Sequence, residues 1–253
     1  MLPKLLALDF DGVICDGLRE YFVTSNQTYH KIWQEDSETI TEEFAEVFSQ
    51  LRPVIETGWE MPVLLRSLVL GITPETILSQ WHLIREQIIT QENIDKKLLS
   101  HTLDSTRDYW IKNKLDHWLS LHSFFPGILD KLREIMQSDC HFYIVTTKEG
   151  RFVQQLLAKQ GIELPANHII GKEYKRPKYE TLRLLRDNIS ETDISIWFIE
   201  DRLKTLELVK QQSDLSQVQL FLADWGYNTE LERNKAKQDS RVQLISLEQF
   251  TNI

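Results

Sequence analysis

Cysteine is scarce: the 253 residues contain two, Cys15 and Cys140, too few for a disulfide framework or a zinc cluster. Both lie in apolar, strand-like surroundings, so buried free thiols in a reducing cytosol are expected. Positive charge is also short, with 29 Lys and Arg against 38 Asp and Glu and a formal net charge of −9. A field of that sign repels nucleic acid and anionic membranes, so an anionic substrate needs a local basic patch or a cation. No apolar run approaches the length of a membrane span. No charged start leads into a long apolar segment either, because Leu5–Leu8 runs directly into acidic residues. With 9 glycines and 7 prolines, the chain shows neither an internal repeat nor a low-complexity linker. A soluble cytoplasmic protein with an ample hydrophobic core is expected.

What is present starts at residue 5. Leu5-Leu-Ala-Leu-Asp9-Phe-Asp11-Gly12 is a short apolar run suited to a buried strand, with two carboxylates at its end. Alternation along a strand sends Asp9 and Asp11 to the same side, and Gly12 lets the chain turn away without a side chain in the path. Two acids in one small volume repel unless one is protonated or a cation lies between them, which points to a metal-assisted or acid/base site.

From Leu18 to about Leu121 the apolar residues recur at three- and four-residue spacing, as in 42–51, 62–70, 74–89 and 104–119, and no strand pattern intervenes. Trp33, Trp59, Trp81, Trp110 and Trp118 fall in this stretch and read as core packing of a helical module. After Phe125-Pro126-Gly127 helix and strand alternate: helices over 128–136, 152–161, 179–188 and 203–211, strands over 140–146, 168–171, 195–199, 219–223 and 242–245. The expected fold is therefore α/β, a Rossmann-like three-layer core with a mostly parallel sheet, interrupted by an all-helical insertion. Residues 1–17 and 122–253 are assigned to the core and 18–121 to the inserted cap.

Ligands of open parallel sheets bind at the carboxyl ends of the strands. Four such ends carry reactive groups: Asp9-Phe-Asp11-Gly12, Thr146-Thr147-Lys148, the basic loop Lys172–Lys178, and Glu200-Asp201. Carboxylates, a hydroxyl and a lysine are what phosphoryl transfer through a carboxyl phosphate requires, with Mg²⁺ to neutralise charge.

On these residues the chain resembles the haloacid dehalogenase superfamily of hydrolases, in its phosphatase form with a helical cap. The resemblance implies that Asp9 attacks phosphorus and that Asp11 protonates the leaving oxygen and then activates water. It implies that Asp9, the Asp11 carbonyl and Asp201 hold Mg²⁺, with Glu200 as a ligand or supporting partner. Asp11 argues against dehalogenation, since the family's dehalogenases lack that second acid. Thr146 matches the hydroxyl that binds the phosphoryl group; Thr147 stands where Asn is common, and it and Gly12 are expected near the substrate. For the family's lysine, Lys178 and Lys175 compete, with Lys178 the better match at the start of a helix. Position 205 is Thr where many members have a further Asp. Ala223-Asp-Trp-Gly226-Tyr227 is similar to the end of the last core strand in phosphoglycolate-phosphatase-like members.

In the cap, Arg52 in the interruption 51–60 is the candidate anchor for an anionic leaving group. His30, His82, His101, His117 and His122 show no metal-ligand spacing. The expected activity is Mg²⁺-dependent hydrolysis of a small soluble phosphorylated metabolite by a monomer or homodimer, without nucleic-acid or membrane partners. A phosphoglucomutase-like phosphotransferase is the alternative, as is a binding or regulatory protein that kept the fold without turnover. A phosphonate hydrolase would need a cap lysine, and Lys31 is the only one in the first cap helix.

Overall fold

Strand β1 (Leu5–Leu8) is buried at every residue and lies between β4 (His141–Val145) and β6 (Ile196–Glu200), parallel to both. A strand covered on both faces reads as a continuous apolar run, which is why Leu-Leu-Ala-Leu shows no alternation. In this computed structural model, which describes residues 2–34, 40, 42–189 and 194–253, five further strands belong to the core or its margin. These are β5 (Ile169–Ile170), β7 (Val218–Ala223), β8 (Val242–Ile245) and the short antiparallel pair β2 (Cys15–Asp16) and β3 (Ser123–Phe124). The main sheet is all parallel in the order β5-β4-β1-β6-β7-β8. This is the doubly wound order in which the chain reverses its direction of growth between the first strand and the fourth, here β1 and β6.

Helices α6 (Ile128–Met136), α7 (Gly150–Lys159), α8 (Lys178–Asp187), α9 (Leu203–Lys210), α10 (Glu230–Gln238) and α11 (Leu247–Thr251) belong with this sheet. Leu182, Leu185, Leu203, Leu206 and Val209 form one core with Leu5, Ala7, Phe198, Leu220 and Leu222. The alternate strand residues Leu6, Leu8, Phe142, Ile144 and Ile199 are buried as well, so the sheet is covered on its second face. The result is a three-layer α/β unit made of Met1–Asp16 and Ser123–Ile253.

The second unit, Gly17–His122, contains α1 (Leu18–Trp33), α2 (Glu42–Leu51), α3 (Glu60–Val69), α4 (Pro74–Gln91) and α5 (Lys96–Ser120). Its core is partly polar. Buried Glu20 receives two bonds from Arg107 at 2.8 and 2.9 Å and one from Trp118 Nε1 at 3.1 Å, tying α1 to α5. Buried Glu60 binds Arg85 at 2.7 Å and Trp81 Nε1 at 2.8 Å. Trp81, Trp110 and Trp118 are buried, whereas Trp33 and Trp59 are half-buried beneath Arg66 and Arg85. Among the described residues no helix is long and apolar enough to cross a membrane.

One expectation needs correcting. Cys15 is buried, but Cys140 is only partly so; it precedes β4, and burial still pushes its thiol up to about 11, which keeps it protonated.

Candidate active site

The chain leaves β1 at Asp9, whose N–H bonds to the Ile199 carbonyl of β6 at 2.9 Å, so the first acid starts beside the second acidic pair. Phe10 turns into the core and packs edge-on against Phe124. Gly12 then adopts φ +88°, and a Cβ on it would overlap Asp201 Oδ2. Only glycine meets both demands, a left-handed backbone and a carboxylate in the place of its side chain. Its N–H bonds to the Cys15 carbonyl at 2.8 Å, so the expected contact of Gly12 with substrate has no main-chain donor to use.

Asp9, Glu200 and Asp201 are buried, and one oxygen from each lies within 4.8 Å of the others. The Lys178 ammonium lies 2.7 Å from Asp9 Oδ1 and 2.7 Å from Glu200 Oε2. Two of the three carboxylates, Asp9 and Glu200, therefore share one lysine. Burial, and then the Glu200 charge, lift the Asp9 carboxyl to about 7 against the pull of Lys178. Burial likewise raises Glu200 to about 7, Lys178 opposing and Asp201 adding to the rise. Burial works against the charge on Lys178, but Asp9 and Glu200 outweigh it and hold the ammonium above the ordinary lysine value.

This donor set fits a hard divalent cation. It is all oxygen, and it is buried with an excess of negative charge. Asp9 Oδ1 accepts no hydrogen bond of proper geometry despite its burial, its contact with Lys178 being an ion pair. Glu200 fits less well than its neighbours. Its Oε1 accepts the N–H groups of Asp201 and Arg202, each at 3.1 Å, and its Oε2 holds Lys178. The Thr205 position lies in the first turn of α9 and supplies no acid.

Asp11 sits apart from this trio. Its carboxylate binds Lys148 at 3.1 Å, so the two acids of the first loop are neutralised by different lysines. Lys148 also donates its main-chain N–H to Thr146 Oγ1 at 3.1 Å, which occupies a lone pair of that hydroxyl and leaves its proton for another acceptor. Thr146 is buried at the end of β4, whereas Thr147 is exposed. Neither threonine caps the following helix, whose N-cap is Glu149. Of the two competing lysines, Lys178 reaches the acids; Lys175 is exposed, at φ +50° in the preceding turn. Lys148 lies within the motif Thr146-Thr147-Lys148 and its role was legible only as a motif letter, because its partner is 137 residues away.

Arg52, in the helical unit, donates to the Ile55 carbonyl at 3.1 Å and stacks over Tyr21, while Lys31 donates to Thr106 Oγ1 at 2.7 Å.

No family model matches this chain, and no curated protein does. Solved structures match along its whole length. A haloacid dehalogenase-like family hydrolase from Streptococcus pneumoniae has a TM-score of 0.56 at 15% identity, covering 97% of this chain and 94% of its own. This chain has the haloacid dehalogenase-like fold. A predicted phosphoglycolate phosphatase from Haemophilus somnus shares that fold with a TM-score of 0.60 at 12% identity, over 98% of this chain and 95% of its own. So does Protein Tyrosine Kinase A from Mycobacterium tuberculosis, with a TM-score of 0.57 at 13% identity, over 99% and 97%. A fold that carries both names leaves the reaction to be argued from the site.

Proposed function

We propose that this haloacid dehalogenase-like protein is a cytoplasmic, Mg²⁺-dependent phosphomonoester hydrolase acting on a small soluble metabolite through an aspartyl phosphate. The observation that carries the reading is the buried set of Asp9, Glu200 and Asp201 after β1 and at the end of β6, with Lys178 of α8 paired to Asp9 and Glu200.

In this reading a carboxylate oxygen of Asp9 attacks phosphorus, forming the O–P bond of an acyl phosphate as the bond to the leaving oxygen breaks. Asp11 gives its proton to that oxygen. It then takes a proton from water, whose oxygen attacks the aspartyl phosphate, releasing inorganic phosphate and restoring Asp9. Lys178 offsets charge on the nucleophile and the phosphoryl oxygens, with Glu200 holding it in place, and Thr146 donates its free proton to the phosphoryl group. Asp9, Asp201 and the Asp11 carbonyl would hold the cation, which supplies charge neutralisation for the phosphoryl group.

Phosphate release from a panel of phosphoesters, with and without Mg²⁺, tests this for wild type and Asp9→Asn. Release that needs both Mg²⁺ and Asp9 is expected, with turnover in the variant lower by on the order of 10⁴-fold or more. An isomerised sugar phosphate in place of free phosphate would identify a phosphotransferase. A folded, Mg²⁺-binding protein that turns over no ester would be a binding module.

A further inference from the structure

The segment after β7, Trp225-Gly226-Tyr227-Asn228, takes no part in the chemistry above, yet it joins the two loops that carry the acids. On the β6 side, the Tyr227 N–H donates to Asp201 Oδ2 at 2.8 Å and Asn228 Nδ2 donates to the Asp201 carbonyl at 2.9 Å. On the β1 side, Trp225 Nε1 donates to the Val13 carbonyl at 3.1 Å and the Tyr227 hydroxyl donates to Asp16 Oδ1 at 2.9 Å. The fit is close enough that a Cβ on Gly226 would strike Asp201 Cβ and the Gly12 carbonyl. Tyr227 and Asn228 are both buried, and Arg233 of α10 holds Asn228 from behind at 2.8 Å.

We propose that Tyr227 is a positioning residue that fixes the separation of Asp201 from the Asp9–Asp11 loop by bonding to Asp201 with its main chain and to Asp16 with its phenol. Both ends of the bridge matter. A carboxylate ligand whose second oxygen is held by an N–H has one orientation, and that N–H stays in place only if its residue is anchored at the other end. Asp16 is a suitable anchor because it lies in β2, which is paired to β3 by backbone bonds and is therefore itself fixed. The consequence is a preformed pair of acid-bearing loops that needs no rearrangement to accept a cation.

This inference rests on the cation-site reading above, and calorimetric titration of Mg²⁺ into the metal-free full chain tests both separately. Tyr227→Phe keeps the ring and the main-chain donor and removes only the phenol; cation binding should weaken by roughly tenfold. Asp16→Ala should lose the same factor, and the double variant no more than either single one. Asp16→Asn keeps an acceptor oxygen and should bind Mg²⁺ close to wild type; should Asp16→Ala fail to fold, this variant and Tyr227→Phe make the comparison. Thermal midpoints of the metal-free proteins are recorded in parallel. Midpoints that fall while Mg²⁺ affinity holds, or losses that simply add in the double variant, overturn the positioning role and leave a structural contact. A wild-type protein that takes up no Mg²⁺ overturns the cation reading itself and the bridge's purpose with it.

Discussion

The Lys148 ammonium lies 3.1 Å from Asp11 Oδ1, while Asp9, two residues earlier, is paired with Lys178 at 2.7 Å. The two acids of the first loop therefore have separate partners and separate environments. In the proposed reaction, Lys148 keeps Asp11 facing the leaving oxygen. Replacing Lys148 with Met should therefore slow esters of alkyl alcohols, which need a proton on departure, by about 10²-fold. Aryl phosphates, whose leaving groups depart unprotonated, should slow far less. Comparing kcat for the two substrate types checks this; equal slowing would assign Lys148 to the phosphoryl group instead.

The raised carboxyls link cation binding to pH. Asp9 and Glu200 ordinarily titrate at 3.8 and 4.5 and are lifted to about 7 in the folded protein. Between those values the folded state binds more protons than the unfolded one, so the metal-free protein loses stability as pH rises through this window. A cation competes with the same protons. Mg²⁺ affinity should fall by up to about tenfold per pH unit below 7 for each proton displaced. Chemical denaturation with and without Mg²⁺ at pH 5.5 and 8 should show a larger stabilising increment at the higher pH.

Gly12→Ala should act at the cation site without removing a functional group. The left-handed backbone at φ +88° disfavours the methyl by about 1–2 kcal/mol, and its carbon would occupy the volume of Asp201 Oδ2. Displacement of Asp201 should lower Mg²⁺ affinity more than it lowers the melting temperature of the metal-free protein. Calorimetric titration and a thermal scan of the one variant separate the two effects.

In the helical unit, Arg107→Ala should be destabilising because Glu20, with a side chain 1% exposed, would lose the two guanidinium bonds that neutralise it. Removing one partner of a buried ion pair costs about 3–5 kcal/mol. Arg107→Ala with Glu20→Gln should recover part of that loss, since the amide carries no charge. Denaturant midpoints of the single and double variants provide the measurement.

Several elements could be read from local pattern. Helix 128–136 and strand 242–245 have the bounds their apolar spacing indicates. Helix α10 buries only Ala236 and so carries almost no apolar stripe that would mark it in the sequence. The two-residue strands β2 and β3 are too short for any alternation to register, and their pairing joins residues more than a hundred positions apart.

The sequence by itself determined the kind of chemistry available: an apolar strand ending in two acids, a hydroxyl after a second strand, a helix-leading lysine and an adjacent acidic pair, in an order that implies a doubly wound sheet. These are local properties, set by side-chain type and by periodicities of two and 3.6 residues. Only the tertiary structure decided which groups meet. It brings Lys178 to Asp9 and leaves Lys175 in solvent, gives Lys148 to Asp11, turns both oxygens of Glu200 inward, and bridges Asp201 to Asp16 through Tyr227. Each of those choices depends on strand order and on the turn at Gly12, and contacts between residues distant in the chain leave no periodic mark in the sequence.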